Sequence, residues 1–370
     1  MKVQFLTSYY PPFLNNFFAS HKELENESYD AIMSALLDEH FADTGALAYH
    51  TEKAGHQTFL IIANCEILQK KWAKENNISY TVENWLKEIA FAQIKQYKPD
   101  VFYLEYVLEF FNDFLHEVKP FCKYVASWIS SPLINKVSLV GLDLVFSSTP
   151  DFIKTFKTQG LNAEYMHPAF DERILKKLKN TSTKDIPFSF VGGWDDVHIN
   201  RKNALQELVK NTPIKLWGYS YKKNYSKRSI GYYKNLVLQN NKTILDRYMG
   251  EAWGLDMYDI IQRSTCTFNI HESLLKGYVG NMRMFEATGV GTMVLNDEGT
   301  NLSELFVPGK EIETYKTIEE AIEKANYYMR NPEKAIEIGK NAQARTVKDH
   351  NYDVYVKKMF MSIKKQGGLY

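Results

Sequence analysis

The stretch that decides the fold is Gly280-Asn-Met-Arg283-Met-Phe-Glu286-Ala-Thr-Gly289-Val-Gly291, continued by Thr292-Met-Val-Leu-Asn296. It reads as a short helix between two strands. Thr265-Cys-Thr-Phe-Asn-Ile-His271 before it and Thr292 to Leu295 after it are both apolar and β-rich. Gly280 and Asn281 fall at the helix N-terminus, where unpaired N–H groups and the helix dipole favour an anion. Arg283 and Glu286 share one helix face. The pattern supplies a cation for a phosphate and a carboxylate able to accept hydrogen bonds from ribose hydroxyls. Gly289 and Gly291 let the chain turn back into the sheet. An ordinary helix with a surface Arg283–Glu286 pair satisfies the same spacing, so spacing alone leaves both readings open.

The chain around this stretch has 370 residues, more than a single core usually serves, so two domains are expected. An apolar content of 45% with 14% aromatic residues fits a packed chain and not a disordered one. A formal net charge of +1 argues against bulk nucleic-acid binding and against a polybasic membrane arm. Cys65, Cys122 and Cys266 lie far apart in apolar contexts and read as reduced core residues of a cytosolic protein. The chain begins directly with a strand pattern, so no signal peptide is expected, and no apolar run approaches the ~20 residues a bilayer span needs. The expectation is a cytoplasmic protein, at most peripheral to a membrane.

Lys2 to Ser8 reads as the first strand, with Tyr9-Tyr10-Pro11-Pro12 as its loop and the tyrosines at the carboxyl end, the ligand-binding edge of open parallel sheets. Residues 29 to 56 carry one helical period, with Ile32, Leu36, Leu37 and Phe41 on one face. Strands follow at Thr58 to Ala63, at Val101 to Glu105 (after a helix from Val82 to Tyr97), at Tyr124 to Ile129, at Leu144 to Ser148 and at Ala163 to Met166. Alternating strands and helices imply a parallel sheet covered on both faces.

His167-Pro-Ala-Phe-Asp171 reads as a hinge and Lys176 to Asp185 as a polar surface linker. A second domain opens with the strand Pro187 to Val191, the turn Gly192-Gly193 and, beyond Trp194-Asp-Asp196, a helix carrying Arg201, together a phosphate-approach loop. The strand Ile214 to Gly218 leads to Tyr219. From Tyr219 to Gly250, Lys222, Lys223, Lys227, Arg228 and Lys234 alternate with Tyr221, Tyr225, Tyr232 and Tyr233. That segment suits a solvated insertion or a cationic flap over an anionic acceptor, and both readings stay open. Asp256 is an early acid of the next helix, and Glu298 to Phe306 reads as a helix start.

The string Asn281-x-Arg283-x-Phe285-Glu286-Ala287-x-x-x-Gly291 resembles the donor-site segment of group 1 glycosyltransferases, particularly the CgeB-like branch. The likeness extends to Trp253-Gly-Leu-Asp-Met-Tyr258, Phe306-Val-Pro-Gly309, Ser130-Ser-Pro132 and Ser147-Ser-Thr-Pro150. It implies an α/β fold of two Rossmann-like domains facing across a cleft, the glycosyltransferase B architecture. Residues 1–170 would form the acceptor domain and 185–350 the nucleotide-sugar donor domain, with a C-terminal helix (353–370) crossing back to the first. The implied activity moves a sugar from a nucleoside-diphosphate sugar to a glycan, lipid-linked or protein acceptor.

The resemblance also assigns roles. Glu286 would bind the ribose, and the helix N-terminus at Gly280 and Asn281 would face the diphosphate. The Gly192-Gly193 turn would lie under that diphosphate, with Arg201 touching it. From their places in the chain rather than from the resemblance, Gly218, Tyr219, Asn269 and His271 complete the nucleotide-sugar set, and Tyr10, Ser131 and the hinge residue His167 fall on the acceptor side; a structural histidine at 271 and plain loop structure at Tyr10 and Ser131 stay open beside these readings. In the family a second glutamate often stands eight positions before the ribose glutamate; here that position is Tyr278, and Glu272 is not at that spacing, so the donor sugar stays open. The chain has no Asp-x-Asp pair and no His/Cys metal spacing. A metal-independent route without cofactor is therefore expected, the leaving diphosphate being stabilised by Arg201, Arg283 and the N–H groups after Gly280. Glu105, at a strand end, is the candidate base of an inverting enzyme, whereas a retaining enzyme needs none. Two alternatives remain: nucleotide-sugar epimerisation or hydrolysis on the same scaffold, which calls for an acidic pair near the sugar, and a non-catalytic partner subunit.

Overall fold

The structure is a computed structural model and describes residues 1–105, 107–133, 137–179, 183–194, 199–220, 241–271 and 277–367. The chain forms two compact units: Met1–His167 with Tyr352–Tyr370, and Pro168–Asn351.

Unit 1 is built on six strands: β1 (Lys2–Thr7), β2 (Gln57–Ile62), β3 (Val101–Glu105), β4 (Tyr124–Trp128), β5 (Leu144–Ser147) and β6 (Ala163–Tyr165). All pair in parallel, in the order β2-β1-β3-β4-β5-β6. Helices bury both faces of such a sheet, which is why these strands read as near-continuous apolar runs. From β1 the chain crosses to one side for β2, then returns to the other side for β3. The carboxyl ends of β1 and β3 therefore flank the point where strand order reverses, the usual ligand crevice of an open α/β sheet. Thr7 and Glu105 are the last residues of those two strands.

Two expectations in unit 1 are corrected. Pro11-Pro12 is not a loop but the start of a helix, Pro11–Ser20. Proline at the first helical position loses no intrahelical hydrogen bond and has the right φ, and Phe13, Leu14 and Phe17 bury the helix's inner face. The stretch 29–56 is two helices, Tyr29–Asp38 and Thr44–Lys53, because His40 and Ala42 adopt φ of 50° and 59°, which a right-handed helix cannot accommodate. The helix Tyr352–Gly367 belongs to unit 1, where Tyr355, Val356, Met359, Phe360 and Ile363 are buried. Asp353 near its start holds His50 Nδ1 at 2.6 Å.

Unit 2 repeats the scheme with β7 (Ile186–Val191), β8 (Lys215–Trp217), β9 (Tyr248–Gly250), β10 (Ser264–Asn269), β11 (Met293–Asp297) and β12 (Glu313–Tyr315). Its order is β12-β11-β10-β7-β8-β9, again parallel throughout, with the reversal between β7 and β10. Side chains alternate across the sheet. Phe188, Phe190, Phe268, Met293 and Leu295 join the core on one face, while Val191, Trp217 and Val294 join the core on the other.

Here too the sequence reading needs amendment. The segment read as a solvated linker from Lys176 contains the end of a helix, Ile174–Lys177, anchored by Ile174 and Leu178 in the core beside Phe170. Lys184 is partly buried, its Nζ donating to the Gln262 carbonyl at 2.6 Å and to Thr292 Oγ1 at 3.3 Å. The helix expected from Glu298 is confined to Leu302–Leu305. The three cysteines are buried and free. Among the described residues no helix is long and apolar enough to cross a membrane.

Candidate functional site

At the carboxyl edge of unit 2 the turns after β7 and β8 lie against each other. The Gly192 N–H donates to the Trp217 carbonyl at 2.9 Å, the Trp194 N–H to Tyr219 at 3.0 Å and the Gly218 N–H to Gly250 at 3.0 Å. Gly218 has φ +139°, and a Cβ there would stand 2.0 Å from the Gly192 carbonyl oxygen, so only glycine fits. Tyr219 stacks on Trp253, ring centroids 5.7 Å apart and planes 18° from parallel. Arg201, on the helix Ile199–Asn211, reaches back with Nη1 3.4 Å from the Gly193 carbonyl and its guanidinium 5.9 Å from the Phe190 ring.

On the other side of the reversal, β10 ends at Asn269 beside Asn296 of β11. Asn269 Nδ2 donates to Asn296 Oδ1 at 2.7 Å and to Asn281 Oδ1 at 3.0 Å; Asn281 Nδ2 donates back to Asn269 Oδ1 at 3.0 Å. Asn281 also caps the helix Met282–Gly289, its Oδ1 accepting the Met284 N–H at 3.1 Å. The helix thus begins just beyond Asn281, and its start is tied to the strand ends by three asparagines.

His271 corrects one expectation. The amides of Gly280 and Asn281, read as open to an anion, donate instead to His271 Nε2 at 2.9 and 3.1 Å. His271 Nδ1 lies 2.7 Å from Asp297 Oδ1, which fixes the neutral tautomer: Nδ1–H donates to the carboxylate and Nε2 accepts the two amides. The helix dipole and the first helical amides, from Met282 onward, remain as the anion-favouring features of this terminus.

Arg283 and Glu286 do form an ion pair, Nη1 to Oε2 at 2.7 Å, but not on the surface: Glu286 is 9% exposed. Arg283 Nε donates to the Val191 carbonyl at 3.2 Å, which sets the guanidinium beside the end of β7, next to the Gly192-Gly193 turn. Tyr258 OH donates to Glu286 Oε1 at 3.3 Å. Burial, and then the charge of Glu286, hold the Tyr258 phenol well above its usual range. Arg283 therefore bridges the two halves of the edge. Gly192, Gly193, Gly218, Tyr219, Arg201, Asn269, His271, Gly280, Asn281, Arg283 and Glu286 are all brought to one sheet edge. Asp195, Asp196, Glu272 and most of the basic-aromatic segment (221–240) lie outside the described residues.

The remaining candidates belong to unit 1. Glu105 closes β3, accepting hydrogen bonds from the Thr7 and Thr44 hydroxyls. Tyr10 is 53% exposed and precedes the helix Pro11–Ser20, which borders a cavity of about 540 Å³ with Asn64 and Cys65. Ser131 is exposed after β4, and His167 ends the first segment of the unit, its ring edge-on to Tyr165 at 4.7 Å. Sequence reading missed Tyr258, Asp297, Asn296 and Asp43. Three of these carried a usable signal: Asn296 and Asp297 end a strand at a carboxyl edge, and Tyr258 lies one helical turn after Leu255 on a helix leaving that edge.

The family model described as glycosyl transferase-like matches residues 171–360. No curated protein matches the chain. Among solved structures, Anabaena Alr3699/HepE in complex with UDP and glucose aligns at a TM-score of 0.60 and 13% identity, over 99% of this chain and 100% of that one. Sucrose-phosphate synthase from Thermosynechococcus elongatus aligns at 0.58 and 10%, over 100% of both chains. AviGT4, a glycosyltransferase involved in avilamycin A biosynthesis, aligns at 0.60 and 10%, over 100% of this chain and 98% of that one. At these identities the structural likeness is one of fold. With its own family model spanning more than half of it, the chain belongs to the glycosyl transferase-like family, a glycosyltransferase on the two-unit α/β scaffold of glycosyltransferase B enzymes.

Proposed function

We propose that the protein transfers a sugar from a nucleoside-diphosphate sugar to a hydroxyl-bearing acceptor without a bound metal, and that unit 2 holds the nucleotide. The observation that carries this reading is the joining, by the Arg283–Val191 hydrogen bond and the Arg283–Glu286 pair, of a phosphate-type turn to a buried carboxylate at the point of strand reversal. Arg283 and Arg201 neutralise the diphosphate as it leaves, and Glu286 accepts the ribose hydroxyls. The Tyr219–Trp253 pair offers a flat aromatic face for a base. The HepE structure, whose printed description includes UDP and glucose, supports a nucleotide sugar as the donor class. Membership of the CgeB-like branch rests on the Asn281-to-Gly291 string.

A second reading has one observation in its favour. Epimerisation or hydrolysis of the nucleotide sugar calls for a pair of acids, and Asp43 and Glu105 form one in unit 1. A melting screen against nucleoside diphosphates and their sugars, followed by product analysis with and without sugar acceptors, separates the readings. A ligand that binds the native state raises its apparent melting temperature. A rise of several degrees with one nucleotide, and transfer to an acceptor, supports glycosyl transfer; an epimerised nucleotide sugar as the main product supports the second reading.

A further inference from the structure

We propose that Tyr258 is the positioning residue of the ribose-binding carboxylate: it aims Glu286 so that unit 2 selects nucleotides carrying both ribose hydroxyls. This rests on the donor-site reading above and adds to it what holds that carboxylate in place.

Glu286 is 9% exposed, so its carboxylate has exchanged nearly all its water for protein partners. Its two oxygens are held by different side chains. Oε2 lies 2.7 Å from Arg283 Nη1, and Oε1 accepts the Tyr258 hydroxyl at 3.3 Å. Arg283 reaches Glu286 with a single nitrogen, which leaves the carboxyl plane free to turn about its last bond, a soft torsion with broad minima. A second donor on the other oxygen removes that freedom. The acceptor sites these two bonds leave over then point in a fixed direction, and two neighbouring hydroxyls are what such a fork accepts.

Arg283 is too engaged to supply the second bond itself. Its Nε donates to the Val191 carbonyl at 3.2 Å, and its Nη1 also meets Met257 Sδ at 2.7 Å. Nη2 is left over among the described residues, and the donor-site reading gives it to the diphosphate.

The place of the Tyr258 hydroxyl is set by packing. The ring is 5% exposed, on the helix Gly254–Gln262, and meets the Phe170 ring at 70° with centroids 6.3 Å apart. Phe170 in turn lies against Gly289, where a Cβ would stand 2.3 Å from the Phe170 ring. Gly289 ends the helix that carries Glu286. Phenol and carboxylate are therefore referred to one helix, and their separation is set before any ligand arrives. Burial, then the charge of Glu286, keep the phenol protonated, so at ordinary pH it donates to the carboxylate.

The test uses the full chain and whichever of UDP, GDP, ADP and CDP most raises its melting temperature, beside the 2′,3′-dideoxy analogue of that nucleotide. Calorimetric titration should show wild type binding the ribonucleotide at least ~10-fold more tightly than the analogue. Tyr258→Phe keeps the ring and its contact with Phe170 and removes only the hydroxyl. It should weaken the ribonucleotide about fivefold and the analogue by less than about twofold, so that the preference narrows. In a Glu286→Gln background the same change should cost the ribonucleotide less than about twofold, because no carboxylate is left to aim. Glu286→Asp leaves Tyr258 in place and draws the carboxylate one methylene away from its hydroxyl, and it should narrow the preference at least as far. An equal loss for both nucleotides in Tyr258→Phe would make the tyrosine a packing residue and overturn the proposal, as would an undiminished preference in either single variant. A wild type that binds both nucleotides equally would instead take the ribose away from Glu286, and one whose melting no nucleotide shifts would sink the donor-site reading; either result removes this inference as well.

Discussion

The Arg283–Glu286 pair occupies one guanidinium nitrogen and one carboxylate oxygen, whereas a guanidinium donates from three nitrogens and each carboxylate oxygen accepts more than one hydrogen bond. Ligand recognition can therefore be added to the pair without breaking it. If Arg283 meets the diphosphate and Glu286 the ribose, Arg283→Ala should weaken nucleoside diphosphate binding about 100-fold and Glu286→Gln about 10-fold, roughly 2.7 and 1.4 kcal/mol. Calorimetric titration with the nucleoside diphosphate that most raises the melting temperature measures both, and unchanged affinity would put the nucleotide elsewhere. Lys184 supplies a prediction about pH. Burial lowers its pKa to about 8, below the unfolded value of about 10.5. Between these values the unfolded chain holds a proton the folded chain has lost, so this residue's contribution to stability rises with pH across that window and is lost as pH falls through about 8. Lys184→Met should therefore melt higher than wild type near pH 7, by a margin on the order of 1 kcal/mol that shrinks toward pH 10. A margin independent of pH would refute the buried-charge account. Neither Lys184's burial nor the tautomer of His271 was legible in the sequence, because each depends on residues some 26 or more positions away: Asp297 for the histidine, Gln262 and Thr292 for the lysine.

The helix Met282–Gly289 shows what an element adds to its residues. Its position follows from the β-rich runs and glycines around it, and Arg283 and Glu286 share a face by their spacing; its burial was not legible, since Met284 to Gly289 are buried without a break. Its N-terminus was harder to read. Gly280 and Asn281 looked like open anion ligands, but His271 and Asn269 already engage them, so the start of the helix is preorganised by protein groups. Asn281 thus has two separable duties. As N-cap it accepts the Met284 N–H, and through Nδ2 it donates to Asn269. Asn281→Ala removes both and should cost about 1–2 kcal/mol of stability. Asn281→Asp keeps the cap and adds a negative charge to the same terminus. It should melt within a degree or two of wild type yet bind the same nucleoside diphosphate at least ~10-fold more weakly, since the added charge repels a diphosphate. Equal loss of stability and of binding in the two variants would mean that the residue serves folding alone. The strand β9 (Tyr248–Gly250) and the helix Pro11–Ser20 escaped sequence reading for related reasons. Tyr248-Met-Gly250 closes the stretch read as a basic-aromatic insertion and has no buried residue to mark it, and a double proline reads as a loop unless the buried Phe13 and Phe17 beyond it are counted.

At the scale of the whole molecule the two units differ in how the chain builds them. Unit 2 is one continuous segment, Pro168–Asn351, whereas unit 1 needs two, Met1–His167 and Tyr352–Tyr370. The two parallel sheets were legible because most of their strands are short apolar runs that alternate with helical stretches; the extent of unit 2 was less so, because Lys176 to Asp185 reads as a linker until Leu178, with Ile174 before it, is seen in its core. This asymmetry makes opposite predictions for the fragments. Residues 1–167 alone would expose the apolar surface that Val356, Met359, Phe360 and Ile363 cover, at about 1.5–3 kcal/mol for each side chain. That sum is comparable to the entire stability of a domain, so the fragment should be insoluble or unfolded. Residues 168–351 contain both faces of their sheet and every member of the proposed nucleotide set. That fragment should fold cooperatively and bind the nucleoside diphosphate that most stabilises the full chain within about tenfold of the full chain, while transferring no sugar. Circular dichroism with calorimetric titration decides it. A folded fragment that ignores the nucleoside diphosphate bound by the full chain would mean that the nucleotide depends on residues of unit 1, and the assignment of Arg283 and Glu286 would have to be abandoned even though the fold would stand.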